Sequence, residues 1–561
     1  MADIHQIQRD SPPSPRGLFS WLHAAAREDG DREVLIGVEN GHITTLTLNQ
    51  LESKSLSLAT GLHSIGVSEG STIAIWLPNQ IEWMVTQFAS AAIGASVLGL
   101  NTRYRSYEIT HLLGTVPLRA IVLSSQFLGI DFVGTLKESV ENRLKIDPSF
   151  RAPDLVFLDE VPREAAEIDA HCYRFGDLAS ADELVGWRDH APALSNLFTT
   201  SGSTSAPKVG GHDQASIVRH ALADAHALGV RTGDRILAIL PICGVFGFNS
   251  VMALLYGGGA AVLVQSFDAE EAARHLRESR ITHVVGGDEM LDAMFAKVPE
   301  GVNLPALRRG GVANFVGRVK SVVEQAEERW GASISGVYGS SEVFALAAMW
   351  PQDADQSLRC LQGGVVVEHG FEVRVVDMDT LQAVAPGVSG ELQFRGYNVI
   401  DSYLNNPKAT VDAFTQDGWF RSGDLGYLAN GGFVFQCRAR EALRLRGFLV
   451  EPGEIEDYFS LDETVEEVHV VGVETPTGTK AIAFAKPRPG WTIDEAALLA
   501  QAKQNLAGFK VPSRVIEVSE FPTTPGTNGP KVRFDELRNA ARELLKERPD
   551  GPRSNTNSTS L

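Results

Sequence analysis

Strand-like apolar runs alternate with helical patterns through much of this chain, and that alternation limits the fold more than any other feature. The runs STIAIWLP (71–78), RAIVLSS (119–125), RILAILP (235–241), AAVLVQS (260–266) and ITHVVGG (281–287) are short and bounded by turn formers. A buried-helix pattern spans Glu82 to Ile93, and an amphipathic one spans 269–279. Such alternation builds α/β layers on largely parallel sheets. Further on, FEVRVVD (371–377) and GELQFRG (390–396) change to a period of two, which suits a smaller, more antiparallel β unit. Beyond Arg440, strands over 465–474, 480–487 and 513–519 mix with helices over 494–507 and 534–546, a block of domain size.

A chain of 561 residues exceeds the size at which one hydrophobic core stops growing, so two or more domains are expected. The boundaries read as a body over residues 17–437 and a small C-terminal domain over 438–546. The polar tails 1–16 and 547–561 are expected to be disordered.

Charge narrows the partners. Fifty Lys and Arg against seventy Asp and Glu give a net −20, which disfavours sequence-independent binding to nucleic acid or anionic lipid. A local basic pocket remains compatible with that balance. The four cysteines are scattered without a CxxC pair, as expected of free thiols in a reducing cytoplasm. The N-terminus lacks the apolar run of a signal peptide. The stretch Ile236 to Phe267 carries no charge, but Pro241, Asn249 and Gly257 to Gly259 interrupt it. It reads as strand, helix, glycine turn and strand rather than as a membrane span.

Five segments carry chemistry. The run Thr199, Thr200, Ser201, Gly202, Ser203, Thr204, Ser205, Ala206, Pro207, Lys208 offers hydroxyls, backbone N–H groups and a mobile cation, a set that suits a polyphosphate. It is not a Walker A loop, because GxxxxGK[ST] is absent. Tyr338, Gly339, Ser340, Ser341 and Glu342 combine an aromatic for stacking, a close-approach glycine and a carboxylate able to hold Mg²⁺. In the segment Gly418 to Gly426, Asp424 can accept from the two vicinal hydroxyls of a ribose. Arg438 to Glu456 clusters arginines, an isolated Gly447 and an acid-rich helix start. Phe521 to Val532 is a Gly/Pro-rich loop that presents Lys531. Each segment alone also reads as ordinary structure: a Ser/Thr surface loop, a strand-end turn, a β-turn aspartate, a solvated basic edge, a linker lysine.

Taken together, in this order and spacing, the five segments resemble the adenylate-forming superfamily of acyl-CoA synthetases, peptide-synthetase adenylation domains and beetle luciferases. Leu77-Pro78-Asn79, Gly94-Ala95 and Asn101 to Tyr104 look like its N-terminal landmarks, so the match runs from about Leu18 to Leu544. The resemblance implies an α/β fold: a large N-terminal domain of two α/β subdomains plus a β-barrel unit, and a small mobile α+β C-terminal domain. It implies an AMP-forming acid–thiol ligase using ATP, Mg²⁺ and coenzyme A. Thr200, Ser201, Gly202, Ser203, Thr204 and Lys208 would embrace the ATP phosphates. Tyr338, with Gly339, would pack on adenine; Ser341 would contact the α-phosphate side. Glu342 would bind the metal, and Asp424 with Arg438 would bind ribose. Arg440 would be the hinge, Lys531 the adenylation lysine, and Gly447 a wall of the thiol channel.

Departures from the pattern inform the substrate. Ser205 and Val209 stand where the family usually has glycine, and Pro530 directly precedes Lys531 where the family usually has glycine. Many relatives carry an aromatic and a His where Cys243 and Gly244 stand. Small residues there, with Phe246, Gly310 and Gly311 as further walls, imply a roomier acyl pocket and a bulky or cyclic acid. A stand-alone enzyme loading a carrier-protein thiol and a catalytically silent nucleotide-binding protein are the competing expectations. A monomer or homodimer without a membrane span is expected.

Overall fold

The computed structural model describes residues 17–39, 42–200, 207–315, 318–378, 380–438, 443–446, 448–450, 452–475, 478–524 and 531–547. Both expected terminal tails therefore lie almost wholly outside the described residues.

Two sheets organise the large domain. The first has seven strands, in the order Lys208–Asp213, Leu194–Thr200, Ser96–Gly99, Thr72–Trp76, Leu118–Leu123, Asp154–Phe157 and Cys172–Arg174. All pair in parallel except Lys208–Asp213, which runs antiparallel to Leu194–Thr200. The second sheet has thirteen strands. Its parallel part runs through Glu33–Glu39, Ala260–Val264, Arg235–Ala238, His283–Gly287, Arg309–Ala313 and Ser333–Tyr338.

The antiparallel unit expected after the parallel region is present. It continues the second sheet edge to edge, from Ser333–Tyr338 through Ala348–Met349 and Gly363–Val366 to Gly432–Arg438, Phe420–Ala429, Gly390–Gly396 and Phe371–Val376.

Alternating side chains bury both faces of the parallel strands. In Thr72–Trp76, Ile73 and Ile75 join a central core shared by the two sheets, while Ala74 and Trp76 join an outer one. In Ala260–Val264, Ala261 and Leu263 face inward, while Val262 and Val264 face an outer core. Burial on both faces explains why these strands read as continuous apolar runs. The helices Ile81–Ala92 and Val245–Tyr256 fill the central layer, each buried on nearly every side. Thus the uncharged stretch is strand, helix, glycine turn and strand; Gly258 takes φ +93°, a left-handed turn that favours glycine. Among the described residues no helix is long and apolar enough to cross a membrane.

In the small domain the strands Val465–Thr475, Gly478–Pro487 and Arg514–Glu517 form one sheet. One face holds Val468, Val470, Ala481, Ala483 and Val515 under the helices Pro452–Ser460 and Glu495–Asn505. The opposite face holds Val471, Val473, Ile482 and Phe484 under the helix Phe534–Glu547.

Candidate active site

The chemistry-bearing residues gather where parallel strands end. Thr200, Tyr338, Ala313 and the Pro241 to Gly244 turn all sit at or just past C-terminal strand ends, the edge at which open α/β sheets bind ligands.

Tyr338 closes the strand Ser333–Tyr338. Its ring stacks on Phe394 at 5.2 Å and 28°, with Phe433 edge-on at 5.1 Å. Its hydroxyl donates to Asp424 Oδ2 at 2.7 Å. Asp424 is buried and sits opposite Arg438 in register. The candidate adenine and ribose residues therefore form one unit across the junction of parallel and antiparallel strands.

The loop after Tyr338 doubles back on itself. A Cβ on Gly339 would lie 2.5 Å from Ala345 Cα, so only glycine fits there. Phe344 and Leu346 take φ of 54° and 56°, which costs roughly 1–3 kcal/mol apiece. Buried side chains hold this shape by capturing the loop's carbonyls. His212 Nε2 donates to Ser341 O at 2.8 Å and Asn398 Nδ2 to Val343 O at 2.8 Å. His220 Nε2 and Asn249 Nδ2 donate to Ala345 O at 2.8 and 3.0 Å. Burial lowers both histidines to about 4, so the rings are neutral at pH 7. With Nε2–H donating, His220 Nδ1 is left to accept the Tyr397 hydroxyl at 2.9 Å. Asp224, 3.4 Å from His220 Nε2, is itself pushed upward by burial, so the contact joins two neutral groups rather than an ion pair.

Glu342 links to Lys208 through a residue absent from the sequence reading. Tyr403 donates its hydroxyl to Glu342 Oε1 at 2.8 Å, and Lys208 Nζ lies 4.7 Å from the centroid of the Tyr403 ring. An isolated β-bridge between Gly210 and Tyr403 fixes that placement. Thr200 and Lys208 face each other in register, and Ser201, Gly202, Ser203 and Thr204 lie outside the described residues. Thr200 Oγ1 is buried and meets no hydrogen-bond partner among the described residues, as suits a group awaiting a phosphate oxygen. Ser341 Oγ donates to Thr199 O at 3.4 Å, and Thr199 Oγ1 meets the Tyr104 hydroxyl at 2.8 Å. No group of three His, Cys, Asp or Glu side chains is arranged for a metal among the described residues. The lone Glu342 carboxylate suits Mg²⁺, which takes one or two protein carboxylates beside phosphate oxygens.

Around the acyl side, Cys243 is buried and its thiol is pushed up to about 12 by desolvation, so it is no nucleophile at neutral pH. A Cβ on Gly244 would meet only Pro241 O, at 3.5 Å. Phe246 is half-buried beside it. Gly310 and Gly311, expected as pocket walls, are closely approached at their α-carbons. A Cβ on Gly310 would lie 2.3 Å from Val284 O, and one on Gly311 2.9 Å from Val337 Cγ1. That close packing accounts for glycine at both positions.

Arg440 and Gly447 lie outside the described residues, and so do the side chains of Arg438 and Lys531. The backbone of Lys531 pairs with Thr524 in a short hairpin.

Comparison with known proteins agrees with this geometry. The profile of the AMP-binding enzyme family matches residues 22–404, and that of the AMP-binding enzyme C-terminal domain matches 454–526. Similar proteins include a putative acyl-CoA synthetase, YngI, of Bacillus subtilis, 28% identical over 85% of this chain and 89% of that protein. The indoleacetate–CoA ligase of Aromatoleum aromaticum is 29% identical over 90% and 94%. The 3-[(3aS,4S,7aS)-7a-methyl-1,5-dioxo-octahydro-1H-inden-4-yl]propanoyl:CoA ligase of Rhodococcus jostii is 28% identical over 91% and 96%. The solved o-succinylbenzoate CoA synthetase of Bacillus subtilis shares the fold at a TM-score of 0.77 and 22% identity, covering 92% of this chain and 98% of that one. The chain belongs to the AMP-binding enzyme family and, within the adenylate-forming superfamily, to the acyl-CoA synthetase branch of ATP-dependent acid–thiol ligases.

Proposed function

We propose that the enzyme activates a bulky or cyclic carboxylic acid with ATP as the acyl-adenylate, releases pyrophosphate, and passes the acyl group to coenzyme A. The observation that carries this reading is that Lys208 of the first sheet meets the loop after Tyr338 of the second: Tyr403 bonds Glu342 and lies beside Lys208, and Tyr338 bonds Asp424.

A carboxylate acylates poorly because its leaving group is oxide. Its oxygen attacks the α-phosphorus of ATP; an O–P bond forms, the bond to the β-phosphate oxygen breaks, and pyrophosphate leaves. Two anions must meet, so the site needs positive charge. Lys208 and Lys531 supply ammonium groups, and Thr200 a hydroxyl, to the triphosphate. Glu342 would hold Mg²⁺, which when bound offsets phosphate charge. Asp424 and Tyr338 fix the nucleoside, so that the α-phosphate stays aligned with the acid. In the second half-reaction the thiol sulfur attacks the acyl carbon, AMP departs with the bonding pair, and the thiol proton goes to solvent. No side-chain nucleophile is required.

The acid is inferred from the pocket mouth. Cys243 is small, and Gly244 leaves open space where a larger side chain would stand. The ring-bearing acids named for the Aromatoleum and Rhodococcus relatives support the same reading. Pyrophosphate release across fatty, aryl and polycyclic acids, with and without CoA, tests it. Release with a ring-bearing acid, and a CoA thioester in a carrier-free assay, is expected. Faster turnover of acetate than of every bulky acid overturns the pocket argument. Acid-dependent AMP release without a CoA thioester points to a carrier-protein thiol, and no release with any acid points to nucleotide binding without catalysis.

A further inference from the structure

A buried carboxylate stands where the small domain meets the large one. Glu108 is 0% exposed, in the first turn of the helix Ser106–Thr115. Its Oε2 accepts from Arg105 N at 3.0 Å and caps that helix. Its Oε1 accepts from Ala507 N at 3.2 Å and lies 3.6 Å from Lys510 Nζ. Lys510 is only 7% exposed. Ala507 and Lys510 belong to the small domain, so one oxygen serves the helix and the other grips the partner domain. Around this pair, the Tyr107 ring meets Tyr458 edge-on at 5.6 Å, and Ser106 Oγ lies 3.5 Å from Asn505 Oδ1.

The face presented is informative. Tyr107 packs against the side of the small sheet that carries the helices Pro452–Ser460 and Glu495–Asn505. The hairpin holding Lys531 lies on the other side, where Val532 packs with Val471 and Phe484. In this orientation, then, the Lys531 side of the domain is turned away from the large body. Such an arrangement cannot serve a step that needs Lys531 at the triphosphate.

We propose that Glu108 and Lys510 form an inter-domain latch that holds the small domain with its Lys531 side turned away, and so are positioning residues for the thioester-forming half-reaction. The proposal rests on the acid–thiol ligase reading above. A buried ion pair suits a reversible latch. Its attraction is largely offset by desolvation, so opening is not prohibitive, while loss of either partner removes the opposite charge that the other faces across the interface. The latch also reaches the site: Lys510 acts on Tyr104, whose phenol burial pushes up to about 12 and whose hydroxyl meets Thr199 Oγ1 at 2.8 Å.

The test uses Glu108→Gln, which keeps an acceptor for Arg105 N, and Lys510→Met, which leaves the helix cap untouched. With the best acid of the panel, acid-dependent ATP–pyrophosphate exchange is expected to stay within about twofold of the parent, while thioester formation from supplied acyl-adenylate and CoA falls about tenfold. A second readout does not depend on catalysis. The pair Ser106→Cys and Asn505→Cys is expected to crosslink readily on oxidation, and much more slowly when Glu108→Gln or Lys510→Met is added. The crosslinked enzyme should keep thioester formation and lose adenylation until reduced. Equal loss of both half-reactions in the variants, or an unchanged crosslinking rate, overturns the latch. Absence of acid-dependent pyrophosphate release by the parent enzyme strikes the functional reading instead, and the crosslinking comparison still judges the latch.

Discussion

Tyr338 donates its phenolic proton to Asp424 across the seam where the parallel strands give way to antiparallel ones. The bond joins the ring expected beside adenine to the carboxylate expected at ribose. Tyr338→Phe removes the donor and leaves the Phe394 stacking surface in place. The expected outcome is an ATP KM raised about tenfold with little change in the KM for the acid, and a stability loss of about 1–2 kcal/mol. Initial rates at varied ATP and a denaturant melt check both.

Tyr403 couples Lys208 to Glu342, so its two contacts can be separated. Tyr403→Phe keeps the ring beneath Lys208 and loses the hydrogen bond to Glu342. We expect a higher Mg²⁺ requirement for adenylation and a rate lower by about 5- to 20-fold at limiting metal. Tyr403→Leu should be worse, since both contacts go. Pyrophosphate exchange titrated with Mg²⁺ distinguishes the two.

Acid should loosen the carbonyl-pinned loop. His212 and His220 are held near 4 by burial, below the ordinary 6.5. Between those values the unfolded chain binds the proton and the folded one does not, so stability is full above pH 6.5 and falls as pH drops toward 4. Asp224, raised by burial, works in the opposite direction by favouring the folded state as its carboxyl stays protonated. His212→Asn removes one titrating ring. Its melts are expected to show lower stability at pH 7.5 but a shallower loss from pH 6.5 to 4.5, by roughly 1–3 kcal/mol.

The two half-reactions should separate by mutation. Lys531→Ala is expected to lose adenylation by at least about a hundredfold while still converting supplied acyl-adenylate and CoA to thioester. Gly447→Leu is expected to show the reverse, because any Cβ obstructs a narrow thiol channel. Equal loss of both steps in both variants would refute the division of labour.

Substrate size should respond to Gly244. Gly244→His fills the space that now ends at Pro241 O. Preference for ring-bearing over short-chain acids, measured as a ratio of kcat/KM, should fall by about 10- to 200-fold.

Much of the fold was readable because it rests on local pattern. The apolar runs became parallel strands, and Asn249, which argued against a membrane span, proved to be a donor to Ala345 O inside the central helical layer. The five motifs were readable because glycine, hydroxyl and charged residues cluster in few ways that suit a nucleotide. Other features were hidden because they depend on distance in space. Tyr403 lies far from Lys208 and Glu342 in sequence, and the bridge to Gly210 with the Leu404 N–Val209 O bond brings it between them. His212 and His220 look like ordinary polar residues until burial and the carbonyl contacts are known. The close packing at Gly310 and Gly311 was hidden for a related reason: a glycine that opens a pocket and a glycine that lets strands close up are identical in a string of letters. Glu108 stands in a helix start where a capping acid is unremarkable, and its second oxygen faces a residue almost four hundred positions away.

The thirteen-stranded ribbon has an evolutionary corollary. Its hydrogen bonds fix the spacing between the nucleotide end and the acyl end, as teeth on a comb keep their interval. On the proposed function, new diets for such an enzyme would come most easily from exchanging side chains in the turn Pro241 to Gly244, apart from the residues proposed to hold ATP.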